Sequence, residues 1–138
     1  MIVSIDYESD TPLYTQLYDE IVRGIASGRL ESGENLPSVR SLAGDLGINL
    51  HTVNKTYQLL KQEGFVHIHR QKGAVVQPAG SLPVTDAFRT RMERQLESLA
   101  SEALCRSMRE EEFLERCRSA YRSIRPQARD THEGGRER

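Results

Sequence analysis

The side chains best suited to bind a polyanion lie in the middle of the chain. Residues 36–77 carry five lysines and arginines against two acids, with three histidines besides, whereas residues 1–35 carry two arginines against seven acids. A basic segment beside an acidic one is typical of a chain that presents one face to a polyanion such as nucleic acid. The formal net charge is −1, and small local imbalances also arise by chance. Charge by itself therefore leaves this interpretation open.

Two helices must hold most of these basic side chains. Ser38 and Asn49 are typical N-cap residues, because their side-chain oxygens accept hydrogen bonds from free backbone N–H groups. Gly47 and Gly64 are typical helix stops, since glycine adopts the left-handed conformation without strain. The spacing predicts two helices with a short glycine-containing turn between them, a helix-turn-helix, over Ser38–Leu46 and Leu50–Glu63.

A β-hairpin is predicted after the second of these helices, because hydrophobicity switches there to a period of two. We expect strands over residues 65–69 and 74–77, joined by a turn at residues 70–73. A helix-turn-helix followed by a hairpin is the winged-helix plan. Its basic residues dock on phosphates while a recognition helix enters the major groove of DNA. The candidate DNA-binding side chains are Ser38, Arg40, Leu50, His51, Thr52, Asn54, Lys55, Arg70, Gln71 and Lys72.

A further helix is predicted before the pair. Thr11 reads as its N-cap, Pro12 falls in its first turn, where a missing N–H costs nothing, and Gly28 ends it. Apolar residues recur between them at four-residue spacing, which predicts a helix with one apolar stripe: Leu13, Leu17, Ile21 and Ile25.

The C-terminal part reads as two amphipathic helices after a linker at residues 78–83. Ser107 to Glu110 fits a capping box that would start the second helix. An antiparallel hairpin of two such helices cannot bury its apolar stripes alone, so we expect it to form the seam of a homodimer. Packing of the stripes within the chain is the alternative. The expected seam residues are Phe88, Met92, Leu96, Leu99, Phe113, Cys117 and Tyr121.

Three segments of the chain match a known sequence pattern at many positions. They are Pro12-Leu-Tyr-Thr-Gln-Leu17, then Leu36-Pro-Ser-Val-Arg-Ser-Leu-Ala-Gly-Asp-Leu-Gly47, then Asn49-Leu-His-Thr-Val-Asn-Lys-Thr-Tyr-Gln-Leu-Leu-Lys-Gln-Glu-Gly64. With Ser27-Gly-Arg-Leu-Glu-Ser-Gly33 before the second run, residues 5–78 resemble the GntR family of bacterial transcription regulators. The resemblance implies a DNA-binding regulator.

The resemblance also implies which side chains meet DNA. The arginine after the family's Leu-Pro-Ser element contacts DNA, and here it is Arg40. The first turn of the recognition helix corresponds to residues 50–54, and the wing tip that reaches the minor groove corresponds to residues 70–72. Leu50 stands where proline or arginine is common, and His51 where asparagine or arginine is common. The resemblance therefore implies the docking mode and not the base preference. Leu50 either touches a thymine methyl or packs locally as a cap residue.

About 60 residues follow the wing, too few for the larger effector domains of the family. A short two-helix appendix resembles the YtrA-type subfamily, whose members are dimeric repressors often associated with ABC-transporter operons. The resemblance implies double-stranded DNA and a second copy of the chain as partners, and a palindromic operator. A small-molecule effector that shifts the geometry of the dimer is a two-state hypothesis. The alternative function is a winged-helix protein-interaction module without sequence-specific DNA binding.

Metal and redox sites are weaker interpretations. His67 and His69 point the same way on a strand, and with His51 they would suggest a metal site, but no carboxylate or thiol has ligand spacing beside them. We therefore expect outward-facing hairpin residues, and no cofactor. Cys105 and Cys117 are too few for a disulfide framework or a zinc site, and we expect both to be buried small apolar residues in helices.

We therefore predict an α+β, mostly α chain without enzymatic activity, since it has no phosphate loop, no nucleophile–base–acid set and no metal cluster. The predicted domains are a winged helix-turn-helix at 1–78, a helical dimerisation and effector hairpin at 83–124 and a disordered tail at 125–138. No apolar run approaches the ~18 residues of a membrane span, and no signal peptide is visible, so a cytoplasmic location is expected.

Overall fold

The computed structural model describes residue 1 and residues 3–126, and this part is mostly helical. It divides into two compact units, Met1–Ser81 and Leu82–Arg125. The α+β, mostly α fold class is confirmed. The predicted tail begins at residue 125, and its residues after 126 lie outside the part of the chain that the structure describes. In chain order the described elements are α1 (Leu13–Ser27), α2 (Val39–Leu46), α3 (Leu50–Glu63), β1 (Val66–His69), β2 (Gly73–Val76), α4 (Asp86–Cys105) and α5 (Glu110–Ile124).

The core of the first unit lies between α1, α2 and α3. Leu17 and Ile21 of α1 are completely buried, as are Val53 and Leu60 of α3. Helix α3 packs on both of the other helices. The four-residue spacing of the apolar stripe puts its members on one side of α1, and that side faces α3 because burying it removes apolar surface from water.

The ends of α2 and α3 are confirmed where local chemistry predicted them. Ser38 Oγ accepts a hydrogen bond from the N–H of Ser41 at 3.0 Å. Asn49 Oδ1 accepts one from the N–H of His51 at 2.7 Å. Gly47 ends α2 with φ of 67°, in the left-handed region that glycine tolerates best. The two caps fix where the helix-turn-helix begins and turns.

The start of α1 differs from the prediction, since Thr11 is not its N-cap. Pro12 is the N-cap, with ψ of 144°, and α1 begins at the next residue without a side-chain cap. The carbonyl of Pro12 accepts the first helical hydrogen bonds, and the carbonyl of Thr11 accepts one from Gln16 Nε2 at 2.9 Å. Because Pro12 has extended backbone geometry, it lies outside the helix and displaces Thr11 from the capping position.

The wing is a two-stranded antiparallel sheet with a third segment along one edge. Residues 66–69 pair with residues 73–76, so that Val66 lies opposite Val76. On the other side of β2, the N–H of Val76 donates to the carbonyl of Glu34 at 2.9 Å, and the N–H of Leu36 donates to the carbonyl of Ala74 at 2.9 Å. The segment before α2 therefore ties the wing to the helix-turn-helix.

The second unit consists of α4, α5 and the turn between them. Thr85 Oγ1 caps α4 by accepting from the N–H of Phe88 at 3.0 Å. The capping box predicted at Ser107 is wrong, because α5 begins at Glu110 and Ser107 has φ of +60°. The N–H of Ser107 donates to the carbonyl of Leu104, so this residue closes the end of α4 instead of starting α5.

The predicted burial of the two cysteines is also wrong. Cys105 and Cys117 are both free and exposed. Cys105 is the last residue of α4, and α5 has no buried residue along its length. In the described part of this unit Ala103 alone is buried, because two helices enclose too little volume to cover their own apolar side chains.

Candidate nucleic-acid interface

Helix α3 has one buried and one exposed side. Its buried residues are Val53, Thr56, Tyr57 and Leu60. The remaining side carries most of the predicted recognition residues. Of these recognition residues Thr52 is half-buried, and the exposed ones are Leu50, His51, Asn54 and Lys55. Leu50 is 40% exposed, so it is not part of the buried core.

Two hydrogen bonds fix α3 in the first unit. The hydroxyl of Tyr57 donates to the carbonyl of Pro37 at 2.7 Å. Burial raises the pKa of that hydroxyl, because a tyrosinate is poorly solvated there. Thr56, which is fully buried, has its Oγ1 at 3.2 Å from the carbonyl oxygens of both Tyr14 and Thr52. The outward side of α3 is thereby held at a set angle to α1 and α2.

Ser38 and Arg40 lie at the start of α2, and both are exposed. The side chain of Ser38 is occupied as the N-cap, although its hydroxyl proton is left to donate elsewhere. Arg40 forms no ion pair with any carboxylate of residue 1 or residues 3–126. Because the bond from Tyr57 ends at Pro37, the start of α2 and the exposed side of α3 are coupled.

The wing tip carries Arg70, Gln71 and Lys72, all of them exposed. His69 Nδ1 accepts hydrogen bonds from the N–H groups of Gln71 at 3.1 Å and Lys72 at 3.2 Å. The side-chain amide of Asn35 also donates to the carbonyl of Lys72. The backbone of the tip is therefore fixed while its side chains extend into solvent. His67 is exposed, as expected for an outward-facing hairpin residue.

Sequence reasoning missed the residues that support the interface. Tyr14 places its ring 3.9 Å from Lys55 Nζ, Asn35 donates to the backbone of the wing tip, and His69 accepts hydrogen bonds from that backbone. The available signal was that Tyr14 is an aromatic residue lying off the apolar stripe of α1. Asn35 gave no local signal, because its partner is 37 residues away.

The predicted seam residues lie in the second unit. Phe88, Met92 and Leu96 recur at four-residue spacing on α4, and each is 40% exposed. Leu99 is 59% exposed, and Tyr121 on α5 is 75% exposed. Cys117 is exposed and Phe113 is half-buried. The predicted seam residues of α4 thus form an apolar row that the described part of their own unit leaves partly exposed.

A metal site and a membrane-spanning helix find no support in the described part of the chain. Over residue 1 and residues 3–126, no group of three or more histidine, cysteine, aspartate and glutamate residues could hold a metal ion. None of the described helices is long and apolar enough to cross a membrane.

Comparison with known proteins gives consistent matches. The model of the family described as "Bacterial regulatory proteins, gntR family" matches residues 13–76. The HTH-type transcriptional repressor YtrA of Bacillus subtilis (strain 168) is 30% identical over 102 residues, which is 74% of this chain and 78% of that relative.

Two solved structures resemble most of the chain. YtrA from Sulfolobus acidocaldarius, a GntR-family transcription factor, is 41% identical with a TM-score of 0.57, over 70% of this chain and 99% of that one. A transcriptional antiterminator from Listeria monocytogenes EGD-e has a TM-score of 0.82 over 90% of this chain and 92% of that one. Its identity is 22%, so it shows similarity of fold alone.

Proposed function

The chain belongs to the gntR family of bacterial regulatory proteins and is a DNA-binding transcription regulator; from this premise we propose that it is a dimeric repressor of a palindromic operator. The observation that carries the proposal is the exposed side of α3, on which polar and basic side chains lie opposite a buried side. An α-helix of this kind fits the major groove and reads base edges from its N-terminal half.

Each part of the interface has a chemical role in this proposal. Asn54 reads a base edge, for which adenine N6 and N7 are the matching pair, and His51 donates to a guanine or to a phosphate. Leu50 contacts a thymine methyl. Thr52 and Ser38 add hydroxyl donors near the two helix starts. Lys55 binds the phosphate backbone of the same half-site.

The two flanking elements hold the duplex. Arg40 extends from the first turn of α2 and binds a phosphate beside the groove that α3 occupies. The wing tip, with Arg70, Gln71 and Lys72, lies over the adjacent minor groove, where a narrow groove attracts arginine. Asn35 and His69 fix the backbone of that tip, so few further backbone torsions lose freedom when the tip docks on DNA.

Dimerisation is proposed through the apolar row of α4 together with Phe113, Cys117 and Tyr121 of α5. The support is the exposure of that row, since an isolated unit would leave large apolar side chains in water. A two-fold dimer presents two copies of α3 to half-sites about 34–36 Å apart, about one turn of duplex. Two linked half-sites bind far more tightly than one, because the second contact is intramolecular.

Repression is proposed as the direction of regulation, and its support is the printed name of the relative from Bacillus subtilis. The dimer would occupy a promoter in the cytoplasm, such as that of an ABC-transporter operon. An effector that binds one dimer geometry better than the other would then release the DNA, since coupling requires differential affinity for two states.

The proposal is tested by selection from a random duplex pool with the purified full chain at about 150 mM salt, a concentration at which non-specific binding is weak. We expect a consensus with two-fold symmetry and half-sites about one helical turn apart. A pool without enrichment would contradict sequence-specific binding and would favour an interaction module. An asymmetric consensus would contradict the dimer.

A further inference from the structure

The ammonium group of Lys55 lies over the aromatic ring of Tyr14. Its nitrogen is 3.9 Å from the ring centroid, well within the distance at which the negative face of the ring attracts a cation. Lys55 is exposed, and Tyr14 is half-buried. A carboxylate in the place of the ring would cancel the charge of the ammonium. A neutral ring orients the same group and leaves its charge intact.

The backbone that carries the ring is held against α3. Thr56 follows Lys55 in the chain and is completely buried, and its Oγ1 lies 3.2 Å from the carbonyl oxygen of Tyr14. The first turn of α1 and the middle of α3 are therefore joined within one residue of Lys55. The ring that contacts the ammonium of Lys55 therefore belongs to a residue whose backbone is bonded to α3.

We propose that Tyr14 is a positioning residue of the DNA-binding surface, whose ring holds the charged ammonium of Lys55 ready for a backbone phosphate. A free lysine side chain loses rotamer freedom when it binds, and that loss weakens association. The ring removes part of that freedom before DNA arrives and leaves the outward N–H groups of the ammonium to donate. This inference rests on the proposed docking of α3 in the major groove.

The test is a double-mutant cycle on the full chain, with Tyr14→Leu, Lys55→Gln and the double variant. Binding is measured by fluorescence anisotropy on a labelled duplex that carries the selected consensus and on a scrambled duplex of equal length. We expect Tyr14→Leu to weaken consensus binding roughly two- to fivefold, the scale of the lysine rotamer freedom that the ring removes before binding. In the Lys55→Gln background the same change has no effect, because the group that the ring holds is absent.

Two further variants separate the ring's electrostatics from its packing. Tyr14→Phe keeps the ring and is expected to bind as the wild type does. Trifluorophenylalanine at position 14 keeps the shape of phenylalanine but depletes the negative face of the ring, and is expected to weaken binding as leucine does. This variant also tests the proposal if Tyr14→Leu does not fold, which thermal unfolding of every variant will show.

The outcomes distinguish this inference from the proposed function. Effects of Tyr14→Leu and Lys55→Gln that simply add, or equal binding of the phenylalanine and trifluorophenylalanine variants, would overturn the positioning role while leaving the regulator intact. A wild-type chain that binds the consensus no better than the scrambled duplex would overturn both. Coupling of the two residues on the consensus duplex, lost on fluorination, supports the proposal.

Discussion

The hydroxyl of Tyr57 donates a 2.7 Å hydrogen bond to the carbonyl of Pro37, and this bond joins α3 to the residue just before the cap of α2. One side chain thus sets the distance between the exposed side of α3 and the turn that carries Arg40. Tyr57 is almost fully buried, so the bond is shielded from competing water. The geometry of the proposed interface depends on the protonated hydroxyl, because a tyrosinate cannot donate.

The first prediction follows from the raised pKa of Tyr57. In the unfolded chain this hydroxyl loses its proton near pH 10, whereas in the folded chain it stays protonated to higher pH. The stability that Tyr57 contributes is therefore complete below about pH 10 and is lost as the pH rises above that value. Urea unfolding of the wild type and of Tyr57→Phe, compared from pH 7 to the alkaline range, measures this contribution.

Tyr57→Phe is expected to lower the free energy of unfolding at pH 7 by about 1 kcal/mol, since the carbonyl of Pro37 loses its donor. The difference between the two proteins should shrink as the pH rises past about 10. The other tyrosines are present in both proteins and cancel. A difference that stays constant over this range would show that Tyr57 is not protected from deprotonation.

Arg40→Ala is expected to weaken binding to consensus and scrambled duplexes by similar factors, because a phosphate contact carries no sequence information. The slope of log affinity against log salt should fall in magnitude by about 1. Titrations at several salt concentrations measure both quantities. Arg23→Ala is the matched control, since it removes the same charge from an arginine that already pairs with Glu20 at 3.2 Å.

Relaxed preference at one base pair, with the salt slope unchanged, would show that Arg40 reads a base edge instead. An unchanged affinity for both duplexes would remove Arg40 from the interface.

Asn54→Ala is expected to change the selected consensus at one symmetric pair of positions. A good bidentate contact to a base discriminates by about 1–3 kcal/mol, so the preference there should fall accordingly. Repeating the selection with the variant measures it. Gln58→Ala, one helical turn later on α3, is the control and should return the wild-type consensus. The same consensus at lower affinity from Asn54→Ala would exclude Asn54 from base readout.

Leu96→Glu is expected to convert the dimer to a monomer, because it places a charge in the apolar row of α4 that the proposed seam buries. Ser98→Glu introduces the same charge at an exposed position two residues further along the helix and should leave the dimer intact. Light scattering after size-exclusion chromatography gives the mass of each. A Leu96→Glu chain that remains dimeric would contradict the seam through Phe88, Met92 and Leu96.

Local chemistry explains what the sequence could predict. Ser38 and Asn49 cap α2 and α3, and Gly47 and Gly64 end them. Each cap bonds a backbone N–H only two or three positions further along, so the start of each helix depends on local sequence. The apolar stripe of α1 follows from spacing alone, and Leu17, Ile21 and Ile25 of that stripe are buried. The residues of α2, α3 and the wing that are not part of the apolar pattern are then predicted to be exposed. The candidate DNA-binding residues are among them.

What the sequence did not predict depends on contacts between distant segments. The Tyr14 ring meets Lys55 from another helix, and Asn35 meets the wing tip across 37 positions. The burial expected for Cys105 and Cys117 was wrong because an apolar helical face predicts burial only where a neighbouring element covers it. The cap expected at Ser107 was wrong because that residue is used by the turn that ends α4.

Methylation interference on the selected duplex tests the central claim most directly. Dimethyl sulfate modifies guanine N7 in the major groove and adenine N3 in the minor groove, so one experiment reports which groove each element occupies. We expect N7 methylation within each half-site to block binding by α3, N3 methylation beside it to block binding by the wing, and both patterns to repeat with two-fold symmetry. Interference confined to the minor groove, or to one half-site, would contradict the placement of α3 and the dimer.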